Sequence, residues 1–357
     1  MIHRSWKIIG LALLGYVAAM SFIVPLGPGL IDFQRVTTTE RLDASPGQDA
    51  PFYELIGIGT HWNALNEEQS GQLKCILKHE SQLAEVPVVS ITDDQHAIVK
   101  VDLPDTLPSK SWDVFVIHPI DGTLLLENGL FLEDQTIEEN YSWTNPSIEQ
   151  LESTLTFHFP FQPRIFESIR NLMWHVPMWF TMFVLMGIGF VASIKQLSAQ
   201  NKTFQFDDQA LASVQTGIFF GALGLLTGSL WARYTWGAWW VDDPQLNGAL
   251  ITVMVYAGYL VLRASVQNRR QRAQLSAVYN LFAFTILVIL LMVLPRFTES
   301  LHPGKGGNPG FNTYDLDSTL RWVFYPAVLG WILWGVWMYR LRLQFNRLDE
   351  KLKRILH

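Results

Sequence analysis

The sequence predicts a mainly α protein: a six-span transmembrane helical bundle with a β-rich, sandwich-like extracytoplasmic domain inserted between spans one and two. Three observations predict it. Apolar residues gather into blocks about 20 residues long, and a helix of that length rises about 30 Å, enough to cross a bilayer core. Basic residues crowd one set of the connections between those blocks. Between the first two blocks lies a long acidic stretch of short apolar runs separated by turn formers. The chain of 357 residues is 49% hydrophobic and only 16% charged, against about a quarter charged in a typical soluble domain.

The spans fall at Ile8–Leu26, Leu172–Ile194, Ala210–Trp231, Gly248–Leu262, Ala277–Leu294 and Trp322–Tyr339. The fourth is short and draws on Leu246 and Asn247 at its outer end. Arg4 and Lys7 before the first apolar run also suit a signal peptide. However, Pro25-Leu-Gly-Pro-Gly29 follows instead of a clean small-x-small site, so a retained span is expected.

Orientation follows from basic residues in short flanks. Arg4, Lys7, Lys195, Lys202, Arg263, Arg269, Arg270, Arg272 and the run from Arg340 to Arg354 all fall on one side, the expected cytoplasmic side. The opposite short loops carry only Arg233, Arg296, Lys305 and Arg321. Both termini are therefore expected inside a bacterial inner membrane, with the loops after spans one, three and five outside. The domains expected are residues 1–27 (first span), 28–165 (β-rich), 166–342 (five spans) and 343–357 (a basic cytoplasmic tail).

The outer segment Gly27 to Ile165 holds 22 acidic and 7 basic residues. Strand-like runs recur at Val86–Thr92, Ala97–Leu103, Trp112–His118, Thr123–Leu126 and Ser153–His158, with turns such as Pro104-Asp105 and Asp121-Gly122 between them. Regularly spaced short strands suggest a small sandwich. The acidity suits solubility, and also a docking face for a basic partner.

Cys75 is the only cysteine. That excludes an intrachain disulfide, a Cys-based zinc site and a covalent CxxCH haem attachment. His61, His79, His96, His118 and His158 have no metal-type spacing. The run Gly304-Lys-Gly-Gly-Asn-Pro-Gly310 lacks the P-loop pattern and reads as a loop. No Ser/His/Asp or paired-carboxylate arrangement stands out. Lipid is the expected surrounding, and no nucleic-acid partner is expected.

Three outer-face features carry chemistry. Trp231, Trp236, Trp239 and Trp240 crowd one loop beside Asp242 and Asp243. An interfacial aromatic belt explains tryptophans at helix ends. A platform for a planar ligand also explains them, since flat indoles stack on a macrocycle and Gly237 permits close backbone approach. His175 sits near the outer end of span two with Pro177 close behind; it reads as a functional group or as a histidine reaching the headgroups. His302 follows span five on the same face. Neutral imidazole is a common axial ligand of haem iron. Asp242 and Asp243 either orient a site residue or cap the fourth span.

At these residues the sequence resembles the CcmC family, the haem-handling membrane component of cytochrome c maturation system I. Trp236-Gly237-x-Trp239-Trp240-x-x-Asp243 resembles its tryptophan-rich WWD loop. Met173-Trp-His-Val-Pro-Met-Trp179 and Ser300-Leu-His302 resemble its two histidine segments. The likeness runs from Arg170 to Tyr339 and includes the position of span one. The loop departs from the family pattern at Asp242 and Gln245, where a further Trp and an Arg usually stand, and the first outer loop is far longer.

The resemblance implies a chain that makes no bonds itself. Haem b would lie non-covalently against Trp236, Gly237, Trp239, Trp240 and Asp243, with His175 and His302 as axial ligands of its iron. Arg233, Arg296 and Lys305 are the candidate propionate partners. The implied partners are a CcmE-type haem chaperone, CcmAB-type ABC transporter components and a small CcmD-type membrane subunit. The alternative is a system II-type cytochrome c synthase component of the CcsA kind, a family with more spans and further intramembrane histidines.

Overall fold

A computed structural model describes residues 2–36, 51–64, 72–80, 82–101, 106–107, 109–132, 136–137, 151, 153–155, 157–162, 165–199, 203–298, 300–302, 316 and 318–356. Lys202, Lys305 and the glycine-rich run 304–310 lie outside them. The chain forms two compact units, one of residues Met1–Val24 with Glu167–His357 and one of Pro25–Phe166.

The first unit is helical. Its helices are α1 (Ile2–Ile23), α2 (Leu172–Ser198), α3 (Gln205–Trp236), α4 (Pro244–Ser265), α5 (Arg269–Val288) and α6 (Ser318–Leu356). Each predicted span falls on one of these, and all six are long and apolar enough to cross a membrane. α1 stops at Ile23, short of the predicted Leu26, because Pro25 has no N–H to continue a helix. α3 starts at Gln205 rather than Ala210. The Gln196 side chain accepts from the Asp207 amide, and Asp207 meets Arg263 of α4 in a buried bidentate pair, Nη2 to Oδ2 at 2.9 Å. α6 continues through the basic tail as one helix.

Glycines set the packing of α3 on α2. A methyl on Gly217, Gly221, Gly224 or Gly228 would collide with Met186, Met182, Trp179 or His175 respectively. Numbers rise on one helix as they fall on the other, so the pair is antiparallel and in register. Small residues at such spacing let apolar helices approach closely without a hydrophobic drive between them. α1 runs antiparallel to α6 in the same way: Lys7 lies over the Trp337 ring at 4.9 Å, Gly10 faces Leu333, and the Tyr16 hydroxyl donates to the Trp322 carbonyl. Asn280 of α5 donates to Ser193 of α2 at 2.8 Å, both fully buried. α5 widens into a π turn at Ile289–Val293 and tightens at Leu294–Arg296. The π turn brings the Leu290 carbonyl against Gly248 of α4.

The second unit is built on two antiparallel four-stranded sheets. One has the order β1 (Gly29–Arg35), β2 (Phe52–Ile58), β6 (His96–Lys100), β5 (Val88–Ile91); the other β4 (Gln82–Val86), β3 (Lys74–His79), β8 (Ser111–His118), β9 (Gly122–Phe131). A short parallel pair joins β7 (Thr106–Leu107) to β10 (Thr136–Ile137). Alternation puts Tyr53, Leu55, Trp112, Val114 and Val116 inward. These residues share one apolar cluster with Leu30, Cys75, Leu77 and Val99, drawn from both sheets.

The predicted run Val86–Thr92 is not one strand. Val86 pairs in one sheet and Val88 in the other, and the break falls at Pro87, which cannot donate to a ladder. Ser153–His158 forms no strand among its described residues. The Thr154 amide and the Ser153 hydroxyl both bond the Ile120 carbonyl instead, the side-chain competition that serine and threonine offer.

Candidate functional site

His175 lies in the first turns of α2, which the register places beside the last turns of α3. Its Nδ1 is 3.1 Å from Thr227 Oγ1. The Thr227 hydroxyl has one proton, which it donates to the Leu223 carbonyl at 2.8 Å. It can therefore only accept from His175, so Nδ1 carries the ring proton and Nε2 keeps the lone pair. Trp231 meets the ring edge-on at 5.6 Å and Trp179 at 6.4 Å. Trp231 is itself fixed by its indole N–H to the Ser168 hydroxyl. Gly228 makes room, since a Cβ there would stand 2.7 Å from His175 Cε1.

α3 ends at Gly237, whose φ of 78° lies in the left-handed region that a helix C-cap needs and glycine adopts without strain. The Arg233 guanidinium donates to the Gly237 carbonyl. Beyond it, Trp239 and Trp240 are 59% and 38% exposed. Their positions are nevertheless held. Ser229 donates to the Trp239 carbonyl at 2.8 Å, and the Trp240 indole donates to Asn247, which in turn donates to Asp242.

Asp243 is 1% exposed and takes five donors. Oδ1 receives the amides of Gln245 and Leu246, capping α4 in front of Pro244, and also His302 Nδ1 at 3.2 Å. Oδ2 receives the Ser300 hydroxyl and the Leu301 amide, each at 2.8 Å. Both sequence alternatives for this residue hold at once: it caps a helix and it orients a histidine. Burial raises the Asp243 pKa, but the hydrogen bonds from His302, Leu301, Ser300 and Leu246 outweigh it and hold the carboxyl well below the usual carboxylate range. A carboxylate only accepts, so His302 also carries its proton on Nδ1 and leaves Nε2 with its lone pair. The Trp236 ring packs edge-on against His302 at 5.4 Å.

The two imidazoles meet α3 about two turns apart, His175 at Gly228 and His302 at Trp236. The structure thus gathers His175, His302, Trp236 and Asp243 at one end of the bundle. It holds Trp239 and Trp240 on an exposed turn of the same connection. Arg233 caps α3, and Arg296 ends the 3-10 turn after α5 with an exposed side chain. Trp231 of the tryptophan cluster lies beside His175; Thr227, Gly228, Trp179 and Ser300 complete the surroundings of the histidines and were not singled out as site residues from sequence. Their signal lay in the stripe Gly217, Gly221, Gly224, Gly228, whose spacing aims one face of α3 at His175.

These features define a multi-pass membrane protein with a paired-imidazole site beside a tryptophan-rich turn. Residues 153–302 match the family model described as cytochrome c assembly protein. That stretch contains both histidines and the whole tryptophan connection. The chain is 28% identical over 126 residues to a heme exporter protein C of Paracoccus denitrificans, covering 35% of this chain and 51% of that protein. It is 26% identical over 190 residues to the protein of that name from Haemophilus influenzae, covering 52% and 74%. A cytochrome c biogenesis protein CcsA of Prochlorococcus marinus is 36% identical over 89 residues, covering 25% and 28%. The chain thus spans about half the length of the Paracoccus protein and about a quarter of the Prochlorococcus one. These matches support the resemblance to the CcmC family that the histidine segments and the tryptophan loop carry.

Proposed function

We propose that the chain binds haem at the outer face of a bacterial inner membrane and delivers it to a periplasmic haem chaperone of the CcmE type for cytochrome c maturation. Haem is cargo here, and the chain makes no bond of its own. The observation that carries the reading is the pair His175 and His302. Each has its Nδ1 proton committed to a neighbour, and each keeps the Nε2 lone pair that haem iron takes. Trp236 lies beside them, and the exposed indoles of Trp239 and Trp240 offer flat faces in the same connection.

Basic residues lie mostly at the opposite ends of the helices, which supports an outer-face site and cytoplasmic termini. The antiparallel pairing of α1 with α6 agrees, since it puts both termini at one end. Arg233 and Arg296 remain the proposed propionate partners, with Lys305. CcmAB-type ABC components and a small CcmD-type subunit are the proposed partners for release. The match to a CcsA protein favours a second reading, a component of a system II-type synthase. Against it, His3 of α1 precedes the apolar span Ser5–Ile23, and His175 is the only histidine within the six apolar spans of the described residues.

The test is a ferric haem titration of the full chain in detergent, followed in the Soret region. The wild type should give a low-spin bis-imidazole spectrum, and His175→Ala and His302→Ala should each lose it. Wild-type protein that takes up no haem, or two variants that keep the wild-type spectrum, would sink the reading.

A further inference from the structure

The two imidazoles are held by chemically different groups. His302 Nδ1–H points at a carboxylate, Asp243, which four further donors fix in place. His175 Nδ1–H points at a neutral hydroxyl, Thr227, whose own proton is spent on the Leu223 carbonyl. A carboxylate behind an imidazole pulls on the Nδ1 proton and raises the basicity of Nε2. A neutral hydroxyl does so much less, because charge-assisted hydrogen bonds are about twice as strong as neutral ones.

We propose that Asp243 and Thr227 are positioning residues that hold the two histidines unequally, so that His302 is the retaining ligand and His175 the exchangeable one. This rests on the haem reading above. Both neighbours fix the same tautomer, so both rings offer the same atom; only the basicity of that atom differs. A carrier needs one ligand that keeps hold while the other is surrendered to the acceptor. The placement suits this. Asp243 anchors the retaining side to the start of α4, whereas His175 sits on the register line of α2 and α3 among groups without charge: the Thr227 hydroxyl, the α3 backbone at Gly224 and Gly228, and two indole edges.

The experiment uses the full chain in detergent with ferric haem, reading haem loss to apomyoglobin and the midpoint potential. His302→Ala should weaken haem retention about tenfold more than His175→Ala. Asp243→Asn should weaken it by about 10- to 100-fold, the usual effect of removing such a partner, and should raise the midpoint potential, because a less basic ligand stabilises ferric iron less. Asp243 also caps α4, so lost retention alone would follow from a displaced loop. Two readouts separate the roles. In the Asp243→Asn background the extra effect of His302→Ala should disappear while that of His175→Ala persists, and Thr227→Val should move the midpoint potential far less than Asp243→Asn. Equal effects of the two alanine variants, or an unchanged potential in Asp243→Asn, would overturn the unequal holding while leaving the haem reading intact. A wild type that binds no haem would overturn both.

Discussion

Gly228→Ala is the sharpest probe of how the helix register reaches the site. The new methyl would stand 2.7 Å from His175 Cε1 and 3.3 Å from Nδ1. To restore an ordinary contact of about 3.4 Å the ring must retreat by roughly 0.7 Å, the kind of overpacking that costs about 1–3 kcal/mol. Retreat is opposed on two sides by Trp179 and Trp231, and it stretches the 3.1 Å bond to Thr227. Alanine gains about 1 kcal/mol over glycine in a helix interior, so net destabilisation should be small, up to about 2 kcal/mol. Haem retention should fall further, by about tenfold to a hundredfold, since a positioned group displaced by about 1 Å can cost that much. Gly187→Ala is the matched control in α2, because nothing lies within 4 Å of its Cβ. It should leave haem binding unchanged and raise stability by about 0.5–1 kcal/mol. Thermal unfolding in detergent and ferric haem titration read both quantities. Wild-type haem retention in Gly228→Ala would refute the claim that α3 fixes the His175 ring.

Arg263→Leu should destabilise the helical unit by about 3–5 kcal/mol in detergent denaturation, because it leaves Asp207 buried without its partner. In the sheet unit, burial raises the Asp121 pKa, but hydrogen bonds from His118 and His61 more than offset it and leave it lowered. Its stabilising contribution is therefore complete above the unfolded-state pKa of about 4 and fades as pH falls through the lower folded value. Calorimetry of the full chain should find that Asp121→Asn removes this part of the acid sensitivity; an unchanged acid profile would count against it. Cys75 is fully buried, and burial pushes its thiol up, so a thiol reagent should label it only after denaturation. Replacing Trp239 and Trp240 together by alanine should lower haem retention with little effect on unfolding temperature; the reverse outcome would favour a simple interfacial belt.

Most of the six helices were legible because they carry an apolar block too long for a soluble core element; α4, whose block is short, was legible with Leu246 and Asn247 added at its outer end. Their ends were less so. The third span was placed from Ala210, yet α3 begins at Gln205 and Asp207 is buried there because Arg263, 56 residues away, neutralises it. In the sheet unit, the alternation of Trp112 to His118 announced β8 directly. β1 stayed hidden because its register shifts between Leu30 and Asp32, which breaks the period of two. The run at Val86–Thr92 misled because Pro87 sits where the chain leaves one sheet for the other. At the site, the histidines and the tryptophan connection were visible as unusual residue types. Thr227 was not, since a threonine in an apolar helix carries no signal alone. Its meaning arises only when the glycine stripe of α3 fixes which residue of α2 it faces.

Asp243 links these scales. A capping carboxylate is worth about 1 kcal/mol to a helix and needs only one or two amide donors. Here the same group takes three more donors, from Ser300, Leu301 and His302, 57 to 59 residues further along the chain. The start of α4 and the segment after α5 are thus clamped through one buried charge. Any movement that frees His302 must also uncap α4 or leave that charge short of donors, which costs about 1–3 kcal/mol or more per group. On the other side, His175 is held by uncharged groups alone, the Thr227 hydroxyl, the α3 backbone and two indole edges, and Trp239 and Trp240 are tethered by their backbone and one indole N–H while their rings are partly exposed. The charge-clamped histidine and the exposed indoles therefore lie on different elements, as the proposed uptake and release of haem would require.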